Sequence, residues 1–169
     1  MSHPLFMALF RDARSAAAAA REVQLMGIAG EDLSVVAADH HKEGILAEQI
    51  GGSPGSEIED SPAAARLGEL GGYILAAIAI GMPGTGAVVA AGPLAAEIGE
   101  AAGHAAGGLR STLEKAGLSS QEAEHWQAQI QSGAVLLGVH ARKVSGVAVE
   151  TALSRHSENK VVRTQWKDS

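Results

Sequence analysis

The chain contains no cysteine, which excludes disulfides, thiolate metal sites and cysteine nucleophiles and fits a reducing compartment. Aromatic residues are nearly missing: two Phe, two Trp and one Tyr make up 3% of 169 residues. A core so poor in rings is filled by Ala, Val, Leu and Ile, and small side chains fill space only where backbones come close together. Positive charge is not clustered anywhere, and the formal net charge is −6, so a general nucleic-acid partner is not expected. The opening residues MSHPLFMALFRDARS have neither a basic leader nor a small-residue cleavage site. That argues against a signal peptide and for a cytoplasmic chain.

The most informative absence is of charge between Glu69 and Glu97. An uncharged run longer than about 18 residues is a transmembrane candidate on hydropathy alone. Here Pro83, Gly84, Gly86, Gly92 and Pro93 cut the run into pieces shorter than the roughly 20 helical residues that cross a bilayer. The pattern predicts instead a glycine-rich apolar helical hairpin over residues 62–117, with Ser61 as N-cap and Pro62 at the first helical position. Gly68 and Gly72 on the first arm, and Gly99, Gly103 and Gly107 on the second, recur at intervals of four. Side-chain-free positions at that spacing share a helix face, where a second helix can approach backbone to backbone.

What flanks this segment is regular. PLFMALF at residues 4–10 reads as a strand buried on both faces, Asp12 as the cap of an alanine-rich helix ending at Gly27, and LSVVAA at Leu33 to Ala38 as a second strand. Residues 1–39 thus form a first β-α-β half, and residues 40–61, dominated by Gly, Ser, Pro and acidic side chains, a polar loop or linker. Residues 118–169 open with the capping box Ser119 to Glu122 and a helix bearing Ala123, Trp126 and Ile130 on a narrow stripe. A second β-α-β half follows: a buried strand over 134–141, a helix over 143–156 with Val144, Val147, Ala148, Thr151 and Ala152 inward, and an edge strand over 160–166. The expected fold is α+β and ferredoxin-like, two β-α-β halves in one domain split by the hairpin.

These pieces, in this order, resemble a family, the bacterial general stress protein 17M-like proteins, also known as low-temperature-induced or heat-induced stress proteins. The likeness lies in LSVVA at Leu33 to Ala37, MPGTGAVVAAGPLAAEIGEAAGHAAGGL from Met82 to Leu109, and GLSSQEAEHWQAQIQSGAVLLGVH from Gly117 to His140. The central stretch is similar to the family's I-P-G-x-G-x-x-x-A-A-G-P-L, with Met82 where an aliphatic β-branched residue is usual. The loop bearing His40 and His41 is a second departure. The resemblance implies a small stress-associated protein and carries over no catalytic residues.

Candidate chemistry is sparse. Gly51, Ser53 and Gly55 satisfy G-x-S-x-G, but in a polar loop with Pro54 beside the serine rather than between a buried strand and a helix. Gly84 and Gly86 lack the lysine of a phosphate loop. Asp39, His40, His41 and Glu43 are weak candidates for a metal site, without a second cluster to complete it. His104, His125, His140 and His156 are scattered singly and read as surface or helix-face residues. The expectation is a non-enzymatic homo-oligomeric scaffold with no cofactor, whose partner is itself. The alternatives are insertion of the hairpin between Gly71 and Ala96 into a membrane, or an oligomer enclosing an apolar chamber for a lipid or quinone.

Overall fold

A computed structural model describes residues 1–38, 70, 73–74, 77–82, 86–102 and 108–168. Strand β1 (Ser2–Phe10) has two apolar faces: Phe6, Ala8 and Phe10 enter one core cluster, and Leu5, Met7 and Leu9 another. Helix α1 (Ala13–Leu25) begins where the Asp12 carboxylate accepts the Ser15 N–H at 2.8 Å. It lays Ala16, Ala17, Ala19, Ala20 and Val23 on the sheet, the close approach expected of a core short of rings. A short 3-10 turn, Gly30–Asp32, leads into β2 (Leu33–Ala38). Then come β3 (Ala77–Met82), β4 (Gly86–Ala91), α2 (Pro93–Ala102), α3 (Leu109–Lys115), α4 (Ser120–Gln131), β5 (Val135–His140), α5 (Gly146–His156) and β6 (Val162–Lys167).

The architecture is mixed α+β. Among the described residues six strands form one sheet in the order β3-β4-β2-β5-β1-β6, and every neighbouring pair is antiparallel. Helices α1 and α5 cover one face with Leu70 and Ile74, while α2, α3 and α4 cover the other. An antiparallel sheet usually shows one face to water and alternates accordingly. Here both faces are covered, which is why β1, β2 and β5 read as nearly unbroken apolar runs.

The helical hairpin expected over residues 62–117 is corrected in its described part. Residues 77–82 and 86–91 are paired strands, from Ala77↔Ala91 to Met82↔Gly86. Alanine's helix propensity is a weak prior, and it is outweighed because β4 also pairs with β2, from Val35↔Ala91 to Ala38↔Val88, and so sits inside the sheet. Val88, Val89, Ala90 and Ala91 are wholly buried. This accounts for the absence of charge in β4: a strand covered on both faces has no place for an ion. From Pro93 the expected helix does form, as far as Ala102. No helix among the described residues is long and apolar enough to cross a membrane.

The inward face of α5 also needs correcting. Val149, Ala152 and Leu153 are buried, whereas Val147 is 75% exposed and Thr151 faces solvent. The helix begins at Gly146 rather than Lys143, pressed so near β1 that a Cβ on Gly146 would lie 2.7 Å from the Phe6 ring. That contact sets its rotation.

Candidate functional site

Ser34 is the polar residue of an otherwise apolar strand, and on β2 its side chain points to the face covered by α2. It is wholly buried, as is His140 at the end of β5, and His3 near the start of β1 is 6% exposed. Pairing of β2 with β5 sets Ser34 opposite Gly138. A glycine there leaves space for the serine and for the imidazole two residues further along, since a Cβ on Gly138 would touch Leu5, Ser34 and Leu94. The result is a continuous polar row across the sheet. The backbone N–H of Leu94, in the first turn of α2, donates to Ser34 Oγ at 3.0 Å. Ser34 Oγ lies 2.9 Å from His140 Nε2, and His140 Nδ1 lies 2.9 Å from His3 Nε2. His3 Nδ1 has no hydrogen-bond partner among the described residues and faces Asp168 Oδ2 at 3.7 Å. The Trp166 ring closes the row edge-on against His140.

With one proton on each neutral ring, a single direction satisfies the row. The Ser34 hydroxyl donates to His140 Nε2, His140 Nδ1–H donates to His3 Nε2, and His3 Nδ1–H faces the carboxylate. The reverse leaves the serine proton without an acceptor and aims a ring lone pair at Asp168. Burial, then the charge of His3 and of Arg142, push the His140 imidazole down to about 3, and burial followed by Arg142 lowers His3 as well. Both rings are therefore neutral at physiological pH.

Arg142 anchors the surface end. Its Nη1 and Nη2 donate to Asp168 at 2.8 and 2.9 Å, and its Nε donates to Asp32 at 2.8 Å. This fork ties the end of β5 to the end of β6 and to the turn before β2. The hydrogen bonds from Arg142 hold the Asp168 carboxyl down at about 2.

The near end of α2 is fixed by Gly92. Its φ is +80°, and a Cβ there would stand 2.0 Å from the Leu33 carbonyl oxygen. Only glycine allows the chain to leave β4, pass this close to β2 and present the Leu94 N–H to Ser34.

Hydroxyl, imidazole, imidazole and carboxylate in sequence are the parts of an acid–base relay. A nucleophilic serine also needs space for a reacting carbonyl about 3 Å away, and Ser34 has protein on all sides. One cavity of about 190 Å³ is lined by Arg11, Ser15, Arg155, His156, Ser157 and Glu158. Another of about 220 Å³ lies between Gly27 to Asp32 and Arg142 to Val144. Neither includes Ser34 or His140.

A second feature is the unequal pair of sheet edges. β6 carries Arg163, Gln165 and Lys167, the charge that blunts an edge against unwanted pairing. β3 is AIAIGM, with Ile78 48% exposed and Ala79 exposed, and no strand among the described residues pairs with its outer side.

Of the expected packing glycines, Gly99 lies on α2, exposed, with open space where a Cβ would stand. Gly68, Gly72, Gly103 and Gly107 lie outside the described residues, as do His40, His41, Ser53 and His104. His125 is exposed on α4, and His156 reaches Glu22 on α1 at 2.8 Å, both in keeping with helix-face positions. His140 is not a surface residue, and that expectation is corrected. Its membership of a strand buried on both faces was the available signal, because a buried imidazole needs partners. No family model, no curated protein and no solved structure matches this chain.

Proposed function

We propose that this protein is a non-enzymatic homo-oligomeric scaffold, built on a ferredoxin-like unit and associating through the uncharged edge of its sheet. In the ferredoxin-like reading, β2-β5-β1-β6 with α1 and α5 on one face form two β-α-β halves, and residues between β2 and β5 extend the sheet by a strand pair and cover its second face. The stress-associated role implied by the family resemblance belongs to the same reading, as a role exercised through binding.

The observation that carries the proposal is β3 itself. An edge strand offers a row of backbone donors and acceptors, and natural sheets normally guard it with charge, proline or a bulge. Ala77–Met82 has none of these guards, and Ile78 adds exposed apolar surface beside it. A second copy is the fitting partner. Antiparallel pairing of β3 with β3 about a two-fold axis is self-complementary and closed, whereas β3 against the charged β6 would propagate into an open filament. Burial of Ser34 supports binding over catalysis.

The test is mass. Light scattering of the purified chain at micromolar concentration, with and without detergent, is expected to give a multiple of the 17.2 kDa protomer in both. Ile78→Lys is expected to yield a folded monomer. A wild-type monomer in the absence of detergent refutes the scaffold, and an oligomer undisturbed by Ile78→Lys refutes the β3 edge as its contact.

A further inference from the structure

The row from Asp168 to the first turn of α2 joins a surface carboxylate to a helix start through three buried groups, and each link depends on the direction of the one before it. We propose that Ser34, His140 and His3 form a proton-operated latch on α2, in which a proton taken up at His3 reverses the hydrogen bonds along the row and loosens the hold of Ser34 on the Leu94 N–H.

The proton balance is simple. The neutral row holds three protons, on Ser34 Oγ, His140 Nδ1 and His3 Nδ1. A fourth makes His3 an imidazolium that donates from both nitrogens, through Nδ1 toward Asp168 and through Nε2 to His140 Nδ1. His140 then carries its own proton on Nε2 and donates to Ser34 Oγ. The serine oxygen now receives two donors, His140 Nε2–H and the Leu94 N–H, and its own hydroxyl proton has lost its acceptor. An orphaned buried donor is costly, so the hydroxyl turns to find another partner and its contact with α2 weakens. The charge settles at one end and the cost appears at the other.

The surroundings favour this placement of charge. Asp168 stands 3.7 Å from His3 Nδ1, close enough to shorten into an ion pair. Asp32 also favours the charged ring, whereas Arg142 and the Met1 amino group oppose it. Around His140 the charged groups are His3, Arg142 and Asp168. The α2 side contributes the neutral Leu94 N–H, Trp166 contributes its ring, and Glu97 on α2 is bound to Lys115 at 2.6 Å. Through Gly92, α2 is joined to β4, so the latch acts on the inner strand of the β3-β4 pair. The inference does not depend on self-association.

Amide hydrogen exchange on the full chain between pH 7.5 and 4.5, corrected for the intrinsic pH dependence of exchange, tests it, with the protonation of His3 followed by ¹⁵N shifts of the ring. Opening at Leu94 is expected to rise roughly tenfold as His3 takes up its proton. Amides of α1 on the opposite face, such as Ala19 and Ala20, should open only as far as the overall loss of stability seen in urea unfolding requires, and more rarely than Leu94 at every pH. His3→Gln should abolish the response while keeping Leu94 protected. The proposal is overturned if Leu94 stays protected while His3 titrates, if His3 takes up no proton above pH 4.5, or if Leu94 opens no more often than α1, which would be global unfolding. These wild-type readings decide the matter even if the variant does not fold.

Discussion

Acid should cost this protein stability earlier than its carboxylates alone would dictate, and the cost should trace to His140. In the unfolded chain an imidazole titrates near 6.5, whereas burial in the folded protein pushes His140 down to about 3. Between these values the unfolded state binds a proton that the folded state refuses, so stability is complete above pH 6.5 and falls as pH drops toward 3. Each pH unit in that window costs about 1.4 kcal/mol, so by pH 4.5 the loss from His140 is about 3 kcal/mol. His3, also lowered, acts in the same direction. Against a typical total of about 5–15 kcal/mol this is a large share. Asp168, held at about 2, and the lowered Asp12 do not interfere, because they forfeit their contribution only below the ordinary aspartate range. Urea unfolding at pH 7.5, 6.5, 5.5 and 4.5 measures the effect, with His140→Gln as the comparison. Gln lowers stability at every pH, so the slope is the quantity read. Wild type should fall by about 3 kcal/mol more than the variant across the range. Parallel slopes would show that His140 takes up its proton in the folded state, and the neutral row would be the wrong description.

Ser34→Ala should cost about 1–3 kcal/mol in the same assay, because it strands the Leu94 N–H and removes the proton donor to His140. Gly92→Ala should cost more, about 3 kcal/mol or greater, since it combines a left-handed backbone with a collision against the Leu33 carbonyl; a loss under 1 kcal/mol, roughly a cap's worth, would mean the chain can detour. Gly99→Ala should instead raise the stability of the protomer by about 0.8–1 kcal/mol, seen as a higher melting temperature, because the added methyl meets open space on a helix.

The elements legible in the sequence are those whose signals are local. Asp12 and Ser119 cap helices through their own neighbours, and the reciprocal bond from the Ser119 N–H to Glu122 at 3.1 Å completes the box that the spacing predicts. Gly27, with φ at +104°, ends α1 as expected. The errors arise where the deciding partner is remote. Nothing within AIAIGM or GAVVAA says strand rather than helix until Val35 and Val36 are brought alongside Ala91 and Ala90. Alanine and glycine are helix-compatible there by local rules, and tertiary pairing overrides them. The site was hidden for the same reason. His3, Ser34 and His140 are separated by 106 to 137 positions where they bond, and no spacing motif joins residues that meet only because three strands lie side by side.

The position of the polar row follows from the same packing that excludes charge from β4. Covering a sheet on both faces leaves no solvent for Leu94 in the first turn of α2, yet a helix start presents N–H groups without intrahelical acceptors. A charged cap would need its own compensation at such depth. A serine supplies one acceptor without a charge, but adds a hydroxyl proton that must be placed, and His140 accepts it. The ring's other nitrogen then needs a partner, which His3 provides, and only at His3 does the row come within reach of the ions Asp168 and Arg142 at the sheet's end. Each polar residue in the row thus answers a requirement created by the one deeper in, so the row should be lost as a unit. A double-mutant cycle on Ser34→Ala and His140→Leu should show coupling of about 1 kcal/mol or more, and strict additivity would mean that the two side chains are satisfied independently.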